Sequence, residues 1–267
     1  QNGRLILNDP NINVDLTTGN DDFYIPGSAG LEVRQGTANV TGGSGILLDG
    51  KLQVSGGTVD MSGGDNYIEY SATGDARLDV SSGNLTVGGQ IRRKLTTEEG
   101  ILNYTQTGGT VVVGQHSAPV DERGVFEILN TGSNFELTGG SLYIANAQNN
   151  PSLPALHLEP ASSNVTSGGK IILGHSSTLT NQVIGINSTV TLPKLFTSNA
   201  NNTNPEVKMW YRDLTISDTL DIGTGTIFST EGWDLHMKGD FISGGTYNAN
   251  GNKTYFNGAG NQEITGG

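Results

Sequence analysis

Five charged residues close together in sequence, Asp60, Asp65, Asp75, Arg77 and Asp79, are the first place to look for chemistry. Acidic calcium ligands beside an arginine base would suit eliminative cleavage of an acidic polysaccharide. Two carboxylates facing each other across a glycosidic bond would suit its hydrolysis. Asp21-Asp22, Gly174-His175 and Arg92-Arg93-Lys94 are further fragments of such sites. The run Asp9, Asn11, Asn13, Asp15, Asn20, Asp21 and Asp22 offers the oxygen ligands that Ca²⁺ prefers, without the spacing or closing Glu of an EF-hand loop. His116, His157, His175 and His236 stand far apart, with no partner at metal-ligand spacing. Trp210-Tyr211-Arg212, together with Trp233, supplies the large aromatics. Exposed rings of that kind can stack on sugars, but beside the Asn-rich stretch 199–204 they more often cover a core edge.

What positions these residues is a repeat. The chain has 267 residues, 40 of them Gly and 26 Asn, with only 15% charged. So much Gly argues against helices, and the absence of a Gly-X-Y period excludes collagen. An apolar-x-apolar triplet, a small-polar-Gly corner and a second triplet recur instead. The unit reads Leu52-Gln53-Val54, Ser55-Gly56-Gly57, Val59-Asp60-Met61, then Leu78-Asp79-Val80, Ser81-Ser82-Gly83, Leu85-Thr86-Val87. Further copies end in Val111-Val112-Val113 and Leu142-Tyr143-Ile144, and a degraded one in Ile171-Ile172-Leu173. Period 2 within a triplet marks a short strand. One unit cannot bury its apolar face alone, but stacked units bury a continuous column and pair backbone to backbone.

The expected fold is therefore all-β: a right-handed parallel β-helix of roughly eight to ten coils, the hand following the usual chirality of parallel crossovers. Leu52, Val54, Leu78 and Val80 are the expected inward residues, with Asp60 and Asp79 facing out. Because Thr86 and Asn103 take the corresponding places on the next coils, no carboxylate column forms, and no catalytic, cofactor or metal residue is assigned. Residues 1–35 fit the pattern poorly and read as an N-terminal cap or irregular first coil, with repeats over 36–267. Gly114 to Gly124, Asn146 to Asn164 and Pro193 to Pro205 read as loop insertions. The final Gln262-Glu263-Ile264-Thr265-Gly266-Gly267 opens like another repeat, an expectation of continuation into a longer protein. Stacked Asn and Thr side chains are expected as ladders along the rod.

Charge and cysteine set the context. Fourteen basic against 26 acidic residues gives −12, which repels phosphate backbones and argues against nucleic acid. The absence of Cys removes disulfides and thiolate chemistry. No apolar run approaches the roughly 18 residues of a membrane-spanning helix.

Val87-Gly88-Gly89-Gln90-Ile91-Arg92-Arg93 with Ile101 to Val111, and Lys238-Gly239-Asp240-Phe241 with Thr254 to Gly258 and Gln262 to Gly266, resemble repeats of giant Bacteroidota surface proteins. Proteins of that kind are similar to gliding-motility adhesins exported by the type IX secretion system. The resemblance implies an extracellular, cell-surface location and a non-enzymatic stalk or adhesive role. It further implies surface polysaccharide or substratum as partner, and outer-membrane secretion or motility machinery for the parent protein. Two alternatives stand beside it: a polysaccharide lyase or hydrolase on the same scaffold, and a trimeric phage tailspike. Polygalacturonase-like β-helices carry Asn-Thr-Asp, Asp-Asp, Gly-His-Gly and Arg-x-Lys. Here Asp21-Asp22 lies in the terminal segment, Gly174-His175 is followed by Ser176, and Arg92-Arg93-Lys94 has no Asp-Asp on a neighbouring coil.

Overall fold

A computed structural model describes residues 3–17, 21–71, 74–97, 100–116, 122–150 and 152–266. Among them are 27 strands and no helix, and the strands stack in parallel as a β-solenoid of about 10 turns. At the usual interstrand spacing such a stack is about 45–50 Å long. One sheet has 14 strands, a second has 10, and a third of three strands is added toward the C-terminal end.

Register follows the apolar triplets. In the first sheet Leu31, Leu52, Leu78, Tyr104 and Phe135 stack coil upon coil. A parallel column runs Ala38, Val59, Leu85, Val111, Leu142, Ile171, Leu195 and Leu220. The second sheet faces them with Ile46, Ile68, Ile91, Phe126, Leu156 and Ile186. These side chains are buried, the expected Leu52, Val54, Leu78 and Val80 among them. Each contributes about 1.5–3 kcal/mol by leaving water. The column's thickest layer holds Tyr104 stacked on Phe135 at 5.5 Å and edge-on to Phe126 at 5.1 Å. Its one polar demand is met inside: the Tyr104 hydroxyl donates to Gln106 Oε1 at 2.6 Å, and the Gln106 amide donates to the Ser141 carbonyl at 3.1 Å.

The Gly-Gly corners do more than turn the chain. Each pair of triplets forms one strand, Lys51–Met61, Ala76–Val87, Leu102–Val113 and Asn134–Ile144, bent at the corner without ending there. Gly36, Gly57, Gly83, Gly109, Gly140 and Gly169 stack at that bend, and the next residue keeps the ladder, as where Thr58 N–H donates to the Gly36 carbonyl at 2.9 Å. Gly83 shows why the type is required. Its φ of 76° lies in the left-handed region, and a Cβ there would come 2.2 Å from the Gly57 carbonyl oxygen.

Within residues 1–35, Gly3–Leu7, Asn13–Asp15 and Phe23–Ile25 pair in parallel with the following coil. Two of the three stretches expected as insertions instead carry coil strands. Leu156–Leu158 and Ser162–Val165 fall in 146–164, and Lys194–Thr197 falls in 193–205. Strands of three or four residues beside a Pro are too short to show a period, and only pairing with neighbouring coils reveals them. The third stretch lies partly outside the described residues.

Candidate functional site

The acidic residues considered as a site are engaged separately. Asp79 pairs with Lys51 at 2.5 Å, and Asp75 with Arg77 at 3.2 Å. Asp60 accepts from the Ser62 hydroxyl at 2.6 Å, and Asp65 lies 3.4 Å from His116. In the N-terminal run Asp9 accepts from the Asn11 N–H at 2.9 Å, and Asp22 accepts from Gly45 N–H and the Tyr67 hydroxyl; Asn20 lies outside the described residues. That hydroxyl is pushed up to about 12 by partial burial and by its bond to Asp22. Among the described residues no three His, Asp or Glu side chains group as metal ligands. Single side-chain bonds link neighbouring coils: Ser162 bonds Asn134, Asn164 bonds Glu136, and Asn39 bonds Asp15.

Two outward columns stand out from this polar wall. The first lies on the second sheet, where Glu69, Arg92, Glu127, His157 and Asn187 follow one another in register. Glu69 sits between Arg92 at 2.7 Å and Arg123 at 3.1 Å, and Arg92 lies over the Tyr67 ring at 4.3 Å. Glu127 is almost wholly buried, accepting from Arg93 N–H at 3.1 Å and Gly124 N–H at 2.9 Å. Burial raises its carboxyl above the usual range, with Arg93 acting in the opposite direction. Arg123 also donates to the backbone carbonyls of Arg93 and Lys94, so its segment is fastened to the sheet. The charges are engaged in holding coils together. Sequence reading missed this ladder because its partners lie 23 to 54 residues apart.

The second column lies on the outer face of the first sheet. Its members in order are Asn39, Asp60, Thr86, Val112, Tyr143, Ile172, Phe196 and Asp221. Val112 to Phe196 is an apolar stretch, with Val112 and Ile172 buried and Tyr143 and Phe196 half-buried, and beyond Asp221 the column continues through Ile242 and Thr265. Tyr143, Lys170, Ile172, Phe196, Thr197 and Ser198 line a shallow depression of about 290 Å³. His175 meets Tyr143 edge-on at 5.3 Å, fixing the phenol ring, and partial burial holds that imidazole below its ordinary range. Asp221 beyond Phe196 is raised by partial burial. Chemically this is a track for contact: aromatic faces one coil apart from an aliphatic one, with an ammonium, hydroxyls and a carboxyl at the margins. Its signal was present in the triplets, whose middle residue changes from Asp60 and Thr86 to Val112, Tyr143 and Ile172.

Comparison with protein-family models, curated proteins and solved structures finds no match for this chain.

Proposed function

We propose that the chain is a non-enzymatic structural and adhesive segment of a large bacterial cell-surface protein: a stiff rod that contacts polysaccharide along the Tyr143–Ile172–Phe196 track. The observation that carries this reading is the apolar track itself, running along the rod axis with the half-buried rings of Tyr143 and Phe196 on either side of Ile172. An extended glycan fits its shape. The track is one side chain wide and several coils long, and its rings offer stacking faces while Lys170, Ser198 and Asp221 offer hydroxyl partners. A second copy of the chain suits it less, since two surfaces of charge −12 repel. Stiffness follows from strands paired on both sides through the stack. The carboxylates of the second sheet are occupied in structural pairs, in keeping with a scaffold. The resemblance to Bacteroidota adhesin repeats supports the extracellular setting, and secretion or motility machinery would engage the parent protein.

Co-sedimentation with insoluble cellulose, chitin, mannan and cross-linked galacturonan tests the reading. Binding to at least one matrix is expected, lost in the double variant Tyr143→Ser/Phe196→Ser with its β-sheet circular dichroism intact. Undiminished binding by that variant, or release of reducing ends or unsaturated uronates from any matrix, would overturn it.

A further inference from the structure

The aromatic segment Trp210-Tyr211-Arg212 lies away from the track, at the edge of the second sheet, and four observations meet there. Trp210 follows the strand Glu206–Met209, and its indole lies against Gly185 so closely that a Cβ on that glycine would come 2.2 Å from the ring. Gly185 thus makes the seat for the indole. Tyr211 is held in the left-handed region at φ 68° and is 53% exposed, yet its hydroxyl is tied to the Ser152 carbonyl. An exposed ring fixed at both ends, in a strained conformation, is arranged rather than left over. Its centroid lies 6.4 Å from that of Trp210.

Arg212, next in the chain, joins a polar cluster. Arg212 Nη2 donates to Glu159 Oε1 at 2.5 Å. The Asn187 amide nitrogen lies 3.1 Å from the same oxygen and 2.9 Å from His157 Nε2. The same His157 Nε2 lies 3.1 Å from Glu159 Oε1, and burial holds the imidazole below its ordinary range. Burial pushes Glu159 up, but the bond and charge of His157, with Arg212 and Asn187, bring it below the usual carboxylate range. Arg212 and Glu159 are each about one-third exposed and make the outer layer, while Asn187 is 4% exposed. Two polar atoms are left over: Asn187 Oδ1, an acceptor, and Arg212 Nε, a donor, both buried without a partner. Buried polar atoms are seldom left so.

A hydroxyl pair satisfies both, one O–H donating to Asn187 Oδ1 and the other oxygen accepting from Arg212 Nε, and a pyranose ring bears such pairs beside an apolar face that stacks on aromatics. We infer that Tyr211, Trp210, Asn187 and Arg212 form a subsite for a neutral sugar ring, separate from the track on the first sheet. This deepens the polysaccharide-binding reading by adding a point of grip. Neutral rather than anionic sugar follows from Glu159, whose ionised carboxylate lies within the cluster and opposes a second carboxylate.

The test uses the chain's own reporter. Trp210 and Trp233 are its two tryptophans, so Trp233→Phe leaves the emission of Trp210 alone. This variant is titrated with the hexasaccharides of β-1,4-glucose, β-1,3-glucose, β-1,4-mannose and β-1,4-N-acetylglucosamine, with hexagalacturonate as the anionic probe. A saturable change in Trp210 emission with at least one neutral probe is expected. It weakens about tenfold or more in Tyr211→Ala and in Asn187→Ala, and stays unchanged in Phe196→Ser. Tyr211 is exposed, so its variant keeps the test meaningful if Asn187→Ala fails to fold. No response to any neutral probe, a response only to hexagalacturonate, or an undiminished response in Tyr211→Ala overturns the subsite, and ordered water then satisfies the two atoms. If matrices still sediment the protein in a track-dependent manner, the adhesive reading stands without it. If sedimentation fails while Trp210 responds, the reverse holds.

Discussion

Between Lys51 and Ile144 the first sheet is made of strands of 11 or 12 residues, whereas from Lys194 onward its strands have three or four. Both regions wind the same solenoid, but they solve the corner differently. The first stacks glycine on glycine, letting backbone lie against backbone and the ladder pass round the bend. The second breaks the strand, and hydroxyls stand at the gap: Ser217 Oγ donates to the Leu192 carbonyl at 3.1 Å and Thr219 Oγ1 to Asp218 Oδ1 at 2.8 Å, between the strands Leu214–Ile216 and Leu220–Ile222. The interior is closed in both, from the Tyr104, Phe126 and Phe135 layer to Leu195, Leu220 and Phe228. Continuous pairing thus concentrates stability in the glycine-cornered half, and the contact track begins there and runs into the other.

The sharpest way to break this contrast is through the core. Phe135→Ala is expected to cost about 3–5 kcal/mol in denaturant unfolding, since the buried layer cannot collapse around the void. Phe256→Ala, half-open to water, should cost about 1 kcal/mol or less. Equal losses would dissolve the distinction. Next come the corners. Gly83→Ala should lose about 3 kcal/mol, from a strained φ together with a collision with the Gly57 carbonyl. Gly251→Ala, at φ 83° with open space around it, should lose only about 1 kcal/mol. Ser217→Ala sharpens the other side of the comparison: removing the hydroxyl that bonds the Leu192 carbonyl at the gap should cost about 1 kcal/mol.

A smaller effect is expected with pH. His157 has its folded-state affinity for protons lowered by burial, so the unfolded chain binds more protons in the window just below the ordinary imidazole range. Stability should fall as pH drops from about 7 to about 5, by less in His157→Gln than in the parent, as followed by thermal melts. An identical slope in the variant would remove His157 from the account. The exposed Lys51–Asp79 pair should matter least, with Lys51→Met shifting stability by less than about 1 kcal/mol.

The glycine-cornered half was the legible half. Leu52 to Val87 carries both triplets and the corner in one stretch, and period and punctuation there agree with the packing that results. The short strands Leu156–Leu158 and Lys194–Thr197 were not legible, because three or four residues beside a Pro carry no period of their own. The contact track was half legible: Val112, Tyr143 and Ile172 stand where Asp60 and Thr86 stand in earlier repeats. Phe196 joins them only through pairing that sequence does not print. The ladder of Glu69, Arg92, Arg123 and Glu127 was not legible, since coils of unequal length bring together residues at no fixed interval.

Amide hydrogen exchange on the native chain tests the central claim most directly, that glycine corners carry the ladder round the bend and make the long strands one cooperative unit. The account predicts that the corner amides of Thr58, Asn84, Thr110 and Ser141 exchange as slowly as those of Leu52 or Leu85 on the adjoining arms. All of them should then open only with global unfolding. Corner amides exchanging at loop rates, with each arm protected separately, would contradict it.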